Sequence, residues 1–422
     1  MRVRMDYGKT GLEAELPDAN LIGILRIAPV APLPYPIAAI EYALHHPIGT
    51  PNLAVLAQGR KSACIVVCDI TRPVPNADLL PPILWILEQA GITREHITIL
   101  IATGTHRPND GAELDVMLGP DVARRYRIAN HDCHDIEGHT YIGASPNGIP
   151  IWLDSTYCQA DLKITVGLIE PHFMAGYSGG RKLIMPGIAT METVKRWHCP
   201  QFLESPYATM GVVDGNPVHI EALAIARRVA PDLIIDVTLD ESNRITGVFA
   251  GDLEEAWSAG VTFTAQHVRA QAARQADIVV TSSAGHPLDA TFYQAVKGMV
   301  TAIPVVKPSG TIIIASQCAE GLGSPEFAKA LLQISDLEEF VQTISQPDVF
   351  VPEEWQIEEL ARAARHANII CIADGVDSDT LARCFVTPAH SIEAGIRMAM
   401  ERHGPDATIL AIPRGPYIIP YV

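Results

Sequence analysis

Several familiar marks of function are missing from this chain. No G-x-G-x-x-G fingerprint and no G-x-x-x-x-G-K-[ST] loop occurs in its 422 residues, so ordinary dinucleotide and ATP sites lose their main sequence support. The eight cysteines form no C-x-x-C pair and no regular framework; in a chain this long they read as reduced, mostly buried thiols of a cytoplasmic protein. No run approaches the roughly 20 apolar residues of a spanning helix, and the first ten residues lack an apolar signal core. Basic residues are scarce, 31 against 48 acidic ones, for a formal net charge of -17. That balance opposes nucleic acid and anionic membranes as partners, yet leaves room for a small anionic substrate, because salt screens the distant surface beyond about 8 Å.

The length exceeds what one hydrophobic core usually serves, so two domains are expected. Short, continuously apolar runs recur at 63–68, 96–102, 162–167, 233–237, 278–280, 311–315, 368–373 and 408–412. Continuous apolarity is the pattern of strands buried on both faces of a parallel sheet. Helical patterns at 76–89, 217–229, 253–275, 324–332 and 391–403 alternate with them. The expected fold is therefore α/β: two α/β domains with mainly parallel sheets and an active-site cleft between them. A degenerate repeat, Ala160-Asp-Leu-Lys-Ile-Thr-Val and Ala276-Asp-Ile-Val-Val-Thr-Ser, marks two similar units. We expect an N-terminal cofactor-binding domain over 1–272, rejoined by 405–422, and a C-terminal α/β domain over 273–404.

Open α/β sheets bind ligands beyond the carboxyl ends of their strands. Four polar loops begin where apolar runs stop: Asp69-Ile-Thr-Arg-Pro-Val-Pro75, Thr103-Gly-Thr-His-Arg-Pro108, the segment from Glu170 to Gly187, and Gly285-His-Pro-Leu-Asp289. In the third, Gly176, Gly179 and Gly180 would let a ligand approach the backbone, or simply make a turn with Arg181 and Lys182 solvated. Arg72 can grip a carboxylate through two parallel hydrogen bonds, or brace its loop by pairing with Asp69. His106 and His172 are either structural hydrogen bonders or, facing one pocket, a base on each side of a carbon.

Together, Asp-x-Thr-Arg-Pro, Thr-Gly-Thr-His-Arg, Pro-His-x-x-x-Gly-Tyr-Ser-Gly-Gly-Arg-Lys-x-x-x-Pro-Gly, a histidine sixteen residues after that lysine, and Tyr-Gln-x-x-Lys resemble the lactate racemase family, in that family's order. The resemblance implies an isomerase that racemises or epimerises a lactate-like or malate-like 2-hydroxy acid. Its cofactor would be a nickel-pincer nucleotide, a pyridinium mononucleotide holding nickel through two sulfurs and a carbon, covalent on Lys182. His198 would complete the metal's coordination, and planar S, C, S and imidazole N donors suit nickel. Thr71, Gly176, Ser178, Gly179, Gly180 and Arg181 would contact the cofactor. His106 and His172 would be the catalytic acid/base pair, supported by Asp69. Arg72 and Lys297 would hold the substrate carboxylate, with Tyr293 and Gln294 lining the site. Separate biosynthetic proteins would be needed to load the cofactor. A second carboxylate, as in malate, would call on a further cation such as Arg107.

Two other readings stay open on the residues alone. One is a zinc-dependent hydrolase using His131, His134, Asp135 and His139, although their spacing matches no standard ligand set. The other is a non-catalytic nickel- or nucleotide-binding protein of the same fold.

Overall fold

The apolar runs become two six-stranded sheets in a computed structural model of the chain, which describes residues 1–346 and 349–422. The first sheet has the order Ile245–Gly251, Leu233–Leu239, Leu162–Leu168, Ala63–Cys68, Ile97–Ala102, Arg127–Asn130. All its neighbours are parallel except the first pair. Ile97–Ala102 is buried at every position, which is why its sequence shows no alternation. The helix Asn76–Gln89 packs seven buried side chains against one face, including Leu79, Leu80, Ile83 and Leu87.

The second sheet has the order Thr387–Pro388, Asn368–Ile372, Val306–Ala315, Ala276–Ser282, Ile409–Ile412, Leu21–Ile24, parallel throughout. Its last two members correct our expectation for the chain ends. Ile409–Ile412 does not rejoin the first domain; it lies between Ala276–Ser282 and Leu21–Ile24 of the second sheet. The N-terminal hairpin Arg2–Met5 with Leu12–Glu15 also covers this sheet, burying Val3, Met5 and Ala14 against Ile278, Ile313 and Ile409. Ile409–Ile412 is buried at all four positions and needs a partner strand on each side, but a short apolar run does not say which sheet offers them.

The repeated Ala-Asp phrase has a structural cause. Asp161 accepts the amide of Lys61, just before the neighbouring strand, at 2.9 Å. Asp277 likewise accepts the Thr408 amide at 2.9 Å, so each aspartate ties two adjacent parallel strands at their entry. The helical pattern at 253–275 is shorter than expected. It forms Glu255–Val268, after which Arg269–Gln271 pairs with the C-terminal Ile419–Tyr421.

In the first sheet the chain runs outward one way from Ala63–Cys68 and the other way from Leu162–Leu168. The crevice where the order reverses therefore opens beside Cys68 and Leu168. No helix among the described residues is long and apolar enough to cross a membrane.

Candidate active site between the two domains

At that crevice lies a cavity of about 160 Å³, walled by loops of the first domain and by two helices of the second. Asp69, Thr71 and Arg72 enter it after Ala63–Cys68, and His106 after Ile97–Ala102. His172, Ser178, Gly179 and Lys182 follow Leu162–Leu168. His198 ends the helix Met191–Trp197, whose first turn is capped by the Thr190 side chain. Tyr293, Gln294 and Lys297 project from the helix Phe292–Ala302, capped in turn by Thr291.

Asp69 and His106 form a dyad: His106 Nδ1 lies 2.8 Å from Asp69 Oδ2. The Thr71 hydroxyl donates to the other carboxylate oxygen at 2.6 Å. Burial opposes ionisation of Asp69, but the His106 hydrogen bond and charge, the Arg72 charge and the Thr71 bond outweigh it and hold the carboxyl below its usual range. His172 sits in the opposite electrostatic setting. Its Nδ1 accepts from the backbone amides of Met174 and Ala175, at 3.3 and 3.2 Å, which leaves the proton of the neutral ring on Nε2. That Nε2 lies 3.0 Å from Lys182 Nζ, so Lys182 receives the bond as a neutral amine. Both shifts agree. Burial, then the nearby basic groups Lys297 and Arg72, pushes His172 well below its usual value. Burial, then Arg181, Arg72 and Lys297, does the same to Lys182 against the opposing pull of Glu170.

His198 is buried between two indoles, 4.2 Å from Trp197 and 4.8 Å from Trp355 ring to ring. Its Nδ1 has no hydrogen-bond partner among the described residues. Burial, above all, pushes the ring well below the usual histidine value. Lys297 stands 5.5 Å from the centre of the Phe173 ring, and burial with the Arg72 charge lowers it to about 7, with Glu170 and Asp69 opposing.

Arg72 does not pair with Asp69 as its loop implied. Its Nε meets Glu170 at 3.2 Å, and its Nη1 donates to the backbone and hydroxyl oxygens of Thr71.

Other expectations change as well. Gly176, Gly180 and Arg181 do not line the cavity. Arg181 points into the protein, donating to the Ala175 carbonyl at 2.8 Å and lying 4.3 Å from the Trp257 ring centre; burial lowers it to about 9. Gly176, at φ +77°, is required because a Cβ there would come within 2.3 Å of the Val212 carbonyl oxygen. At Gly179 a Cβ would meet the Asp236 carboxylate at 2.9 Å. Both glycines are needed by the protein's own interior, and Gly179 also lines the cavity. The loop at Gly285–Asp289 also lies outside the cavity; Asp289 instead accepts the amides of Gly8 and Gln317, at 2.6 and 3.1 Å.

Arg107 turns away into a two-point bond with Glu113, at 2.6 and 2.8 Å. In the zinc candidate, His131 and His139 bond to each other at 3.1 Å, their other nitrogens meeting Thr103 and the Asp135 carbonyl. His134 is exposed, and no group of three or more metal-competent side chains occurs among the described residues.

Our sequence reading missed Trp355 and Gln356, which line the cavity from the helix Glu354–His366. Trp355 Nε1 donates to the Tyr293 hydroxyl at 2.8 Å and Gln356 to the Tyr293 carbonyl at 2.5 Å, so this helix sets the Tyr293 side chain. A glutamate-rich start hid them.

Comparison with known proteins agrees with this geometry. Residues 7–211 match the lactate racemase N-terminal domain and residues 271–419 the lactate racemase C-terminal domain. The lactate racemase of Thermoanaerobacterium thermosaccharolyticum is 34% identical over 99% of this chain and 98% of its own length. That of Lactiplantibacillus plantarum is 34% identical over 98% of both chains. The solved apoprotein of the Thermoanaerobacterium enzyme superposes with a TM-score of 0.94, covering 100% of each chain. A Thermotoga maritima protein at 19% identity and a TM-score of 0.72 shares the fold. On sequence, domain order and overall structure, the chain belongs to the lactate racemase family.

Proposed function

We propose that this chain racemises a short 2-hydroxy acid bearing one carboxylate, with the nickel-pincer nucleotide of its family tethered to Lys182. The observation that carries this reading is the meeting, in one cavity, of Lys182 bonded to His172, His198 with an unpartnered ring nitrogen, His106, and the basic side chains Arg72 and Lys297. The residues fit the cofactor. Lys182 is half-buried and held as a free amine, the form able to bond an acyl carbon. His198 offers a buried nitrogen that nothing else engages, and the described residues hold no ligand cluster of their own, so the remaining donors must arrive with the group.

When bound, the cofactor supplies reversible acceptance of hydride from C2, which interconverts the hydroxy acid and its 2-oxo acid. The chain's residues do the rest. Arg72 and Lys297 hold the carboxylate, and Gln294, whose Oε1 lacks a partner among the described residues, lines the same wall. His106, backed by Asp69, takes up or returns the hydroxyl proton on one side. His172, freed from Lys182 once that amine is acylated, presents its Nε2–H to the substrate oxygen on the other side; to take a proton there the ring must first turn Nδ1 from the Met174 and Ala175 amides and carry its hydrogen on that atom. Trp355 and Tyr293, arriving from the second domain, help exclude water as the cleft closes.

The preference for one carboxylate rests on Arg107, whose fork is already filled by Glu113. Loading would depend on separate biosynthetic proteins, and the free cysteines suit a reducing cytoplasm.

The test is to racemise a 2-deuterated acid in ordinary water with loaded enzyme and weigh the inverted product. Retained deuterium is expected, because a hydrogen carried as hydride does not exchange with solvent. Extensive washout in a single turnover would make His106 and His172 direct carbon bases and remove the hydride route.

A further inference from the structure

Behind the catalytic wall lies a second cavity, of about 460 Å³, where the segments connecting the two domains cross. Ile27 to Val30, Phe263, His267, Arg414 and Tyr417 face it, and so does Glu170. Glu170 does not line the catalytic cavity, whereas Arg72 does. The Arg72–Glu170 pair, at 3.2 Å, is thus a partition, with the guanidinium on the substrate side and the carboxylate behind it.

We propose that Glu170 is a positioning residue for substrate binding: it holds the Arg72 guanidinium from the rear so that its remaining donors face the substrate carboxylate. This rests on the reading that Arg72 and Lys297 bind that carboxylate.

The geometry restricts what else Glu170 can do. Its backbone is pinned on both sides: its amide donates to the Ser178 hydroxyl at 2.9 Å, and its carbonyl accepts the Ser178 amide at 2.9 Å. Pro171 follows and stiffens the chain. The carboxylate therefore starts from a fixed point and meets Nε, while Thr71 takes Nη1. With Nε ion-paired to Glu170 and Nη1 bonded to Thr71, the guanidinium is held from two sides before substrate arrives, and Nη2 is left for the carboxylate.

Lys297 lies in the same cavity, 5.5 Å from the centre of the Phe173 ring. Burial and the Arg72 charge lower it to about 7, and Glu170 is the first of the two carboxylates that oppose them.

The experiment compares Glu170→Gln, Glu170→Ala and Arg72→Ala holoenzymes at matched Lys182 adduct occupancy, with kcat and KM followed between about pH 5.5 and 9. Glu170→Ala should raise KM about tenfold while kcat changes less than about threefold. Glu170→Gln keeps the side-chain volume but removes the charge that draws the guanidinium, so its KM should rise as well, with kcat changed less than about threefold. If Glu170→Ala does not fold, that split between KM and kcat in Glu170→Gln carries the test. A KM that stays level or falls in Glu170→Gln and Glu170→Ala while Arg72→Ala raises it overturns the role of Glu170 and leaves the carboxylate-binding reading intact. An unchanged KM in Arg72→Ala overturns that underlying reading.

Discussion

Replacing Asp69 by asparagine separates charge from shape at the His106 dyad. The amide keeps the side-chain volume and one oxygen able to accept from His106 Nδ1, now at 2.8 Å; its NH2 then faces the Thr71 hydroxyl, now at 2.6 Å, which turns to accept. What it loses is the negative charge beside the ring. A hydrogen bond to a charged partner contributes about 1.5–3 kcal/mol, against about 1 kcal/mol for a neutral pair. The charge therefore accounts for roughly 0.5–2 kcal/mol, felt when His106 carries the substrate proton and not before. At about 1.4 kcal/mol per decade, kcat should fall by roughly three- to thirtyfold with KM little changed. The assay is racemisation of saturating 2-hydroxy acid by circular dichroism or chiral chromatography, with Lys182 adduct occupancy measured by intact mass so that loading losses are not counted as catalysis. A kcat within about twofold of wild type would refute the idea that Asp69 stabilises a protonated His106.

The same substitution has a consequence for stability. The Asp69 carboxyl is held below its unfolded value, so its contribution is present above the unfolded range near pH 4 and is lost as pH falls through the folded one. Asp69→Asn should accordingly show a shallower loss of melting temperature on acidification than wild type.

Three further outcomes can be measured directly. His198→Ala should leave the melting temperature of the unloaded protein within a few degrees but strip most nickel from loaded protein after dialysis, read by elemental analysis; full retention would remove His198 as a ligand. In the unloaded enzyme, a dilute amine-reactive ester small enough to enter the cavity should acylate Lys182 faster at neutral pH than the exposed Lys9, as judged by peptide mass, because burial and neighbouring cations keep Lys182 neutral; preferential Lys9 labelling would contradict the free amine. Arg107→Ala should change kcat/KM for mono- and dicarboxylic 2-hydroxy acids by less than about threefold, since an exposed pair such as Arg107–Glu113 contributes only about 0–1 kcal/mol, and a selective loss on the dicarboxylate would return Arg107 to the site.

Much of the architecture was legible because buried parallel strands advertise themselves. The eight apolar runs all became strands, and the helix at 76–89 formed at the expected bounds. What escaped had a weaker or misleading signal. Leu21–Ile24 is half-buried at all four positions and shows neither alternation nor a continuous buried run. Ile245–Gly251, the antiparallel edge, carries two glycines that dilute its β pattern. The helix Glu354–His366 was harder still. Its carboxylates suggest a solvent face, yet Glu354, Gln356, Glu358 and Glu359 are buried, and Glu359 is matched by Arg362 at 2.8 Å. Nothing in its local sequence announced that Trp355 would meet His198.

The site residues show where a linear reading stops. Motifs named the loops correctly, but the pairing inside them followed sheet order. Asp69 and Arg72 stand three residues apart and seemed natural partners. Cys68, however, pairs with Ala102 on one side, and Val67 with Val166 on the other. Asp69 emerges beside the loop that follows Ala102 and so meets His106; Arg72, a turn later, reaches the segment after Leu168 and meets Glu170. Each charged group is thus satisfied by a neighbour from a different strand, between 37 and 98 residues away. The exchange matters chemically. Had Asp69 and Arg72 neutralised each other, His106 would lack its carboxylate partner and Arg72 its contact with Glu170. Strand order, which no single loop records, therefore decides that Asp69 and Arg72 find separate partners rather than each other.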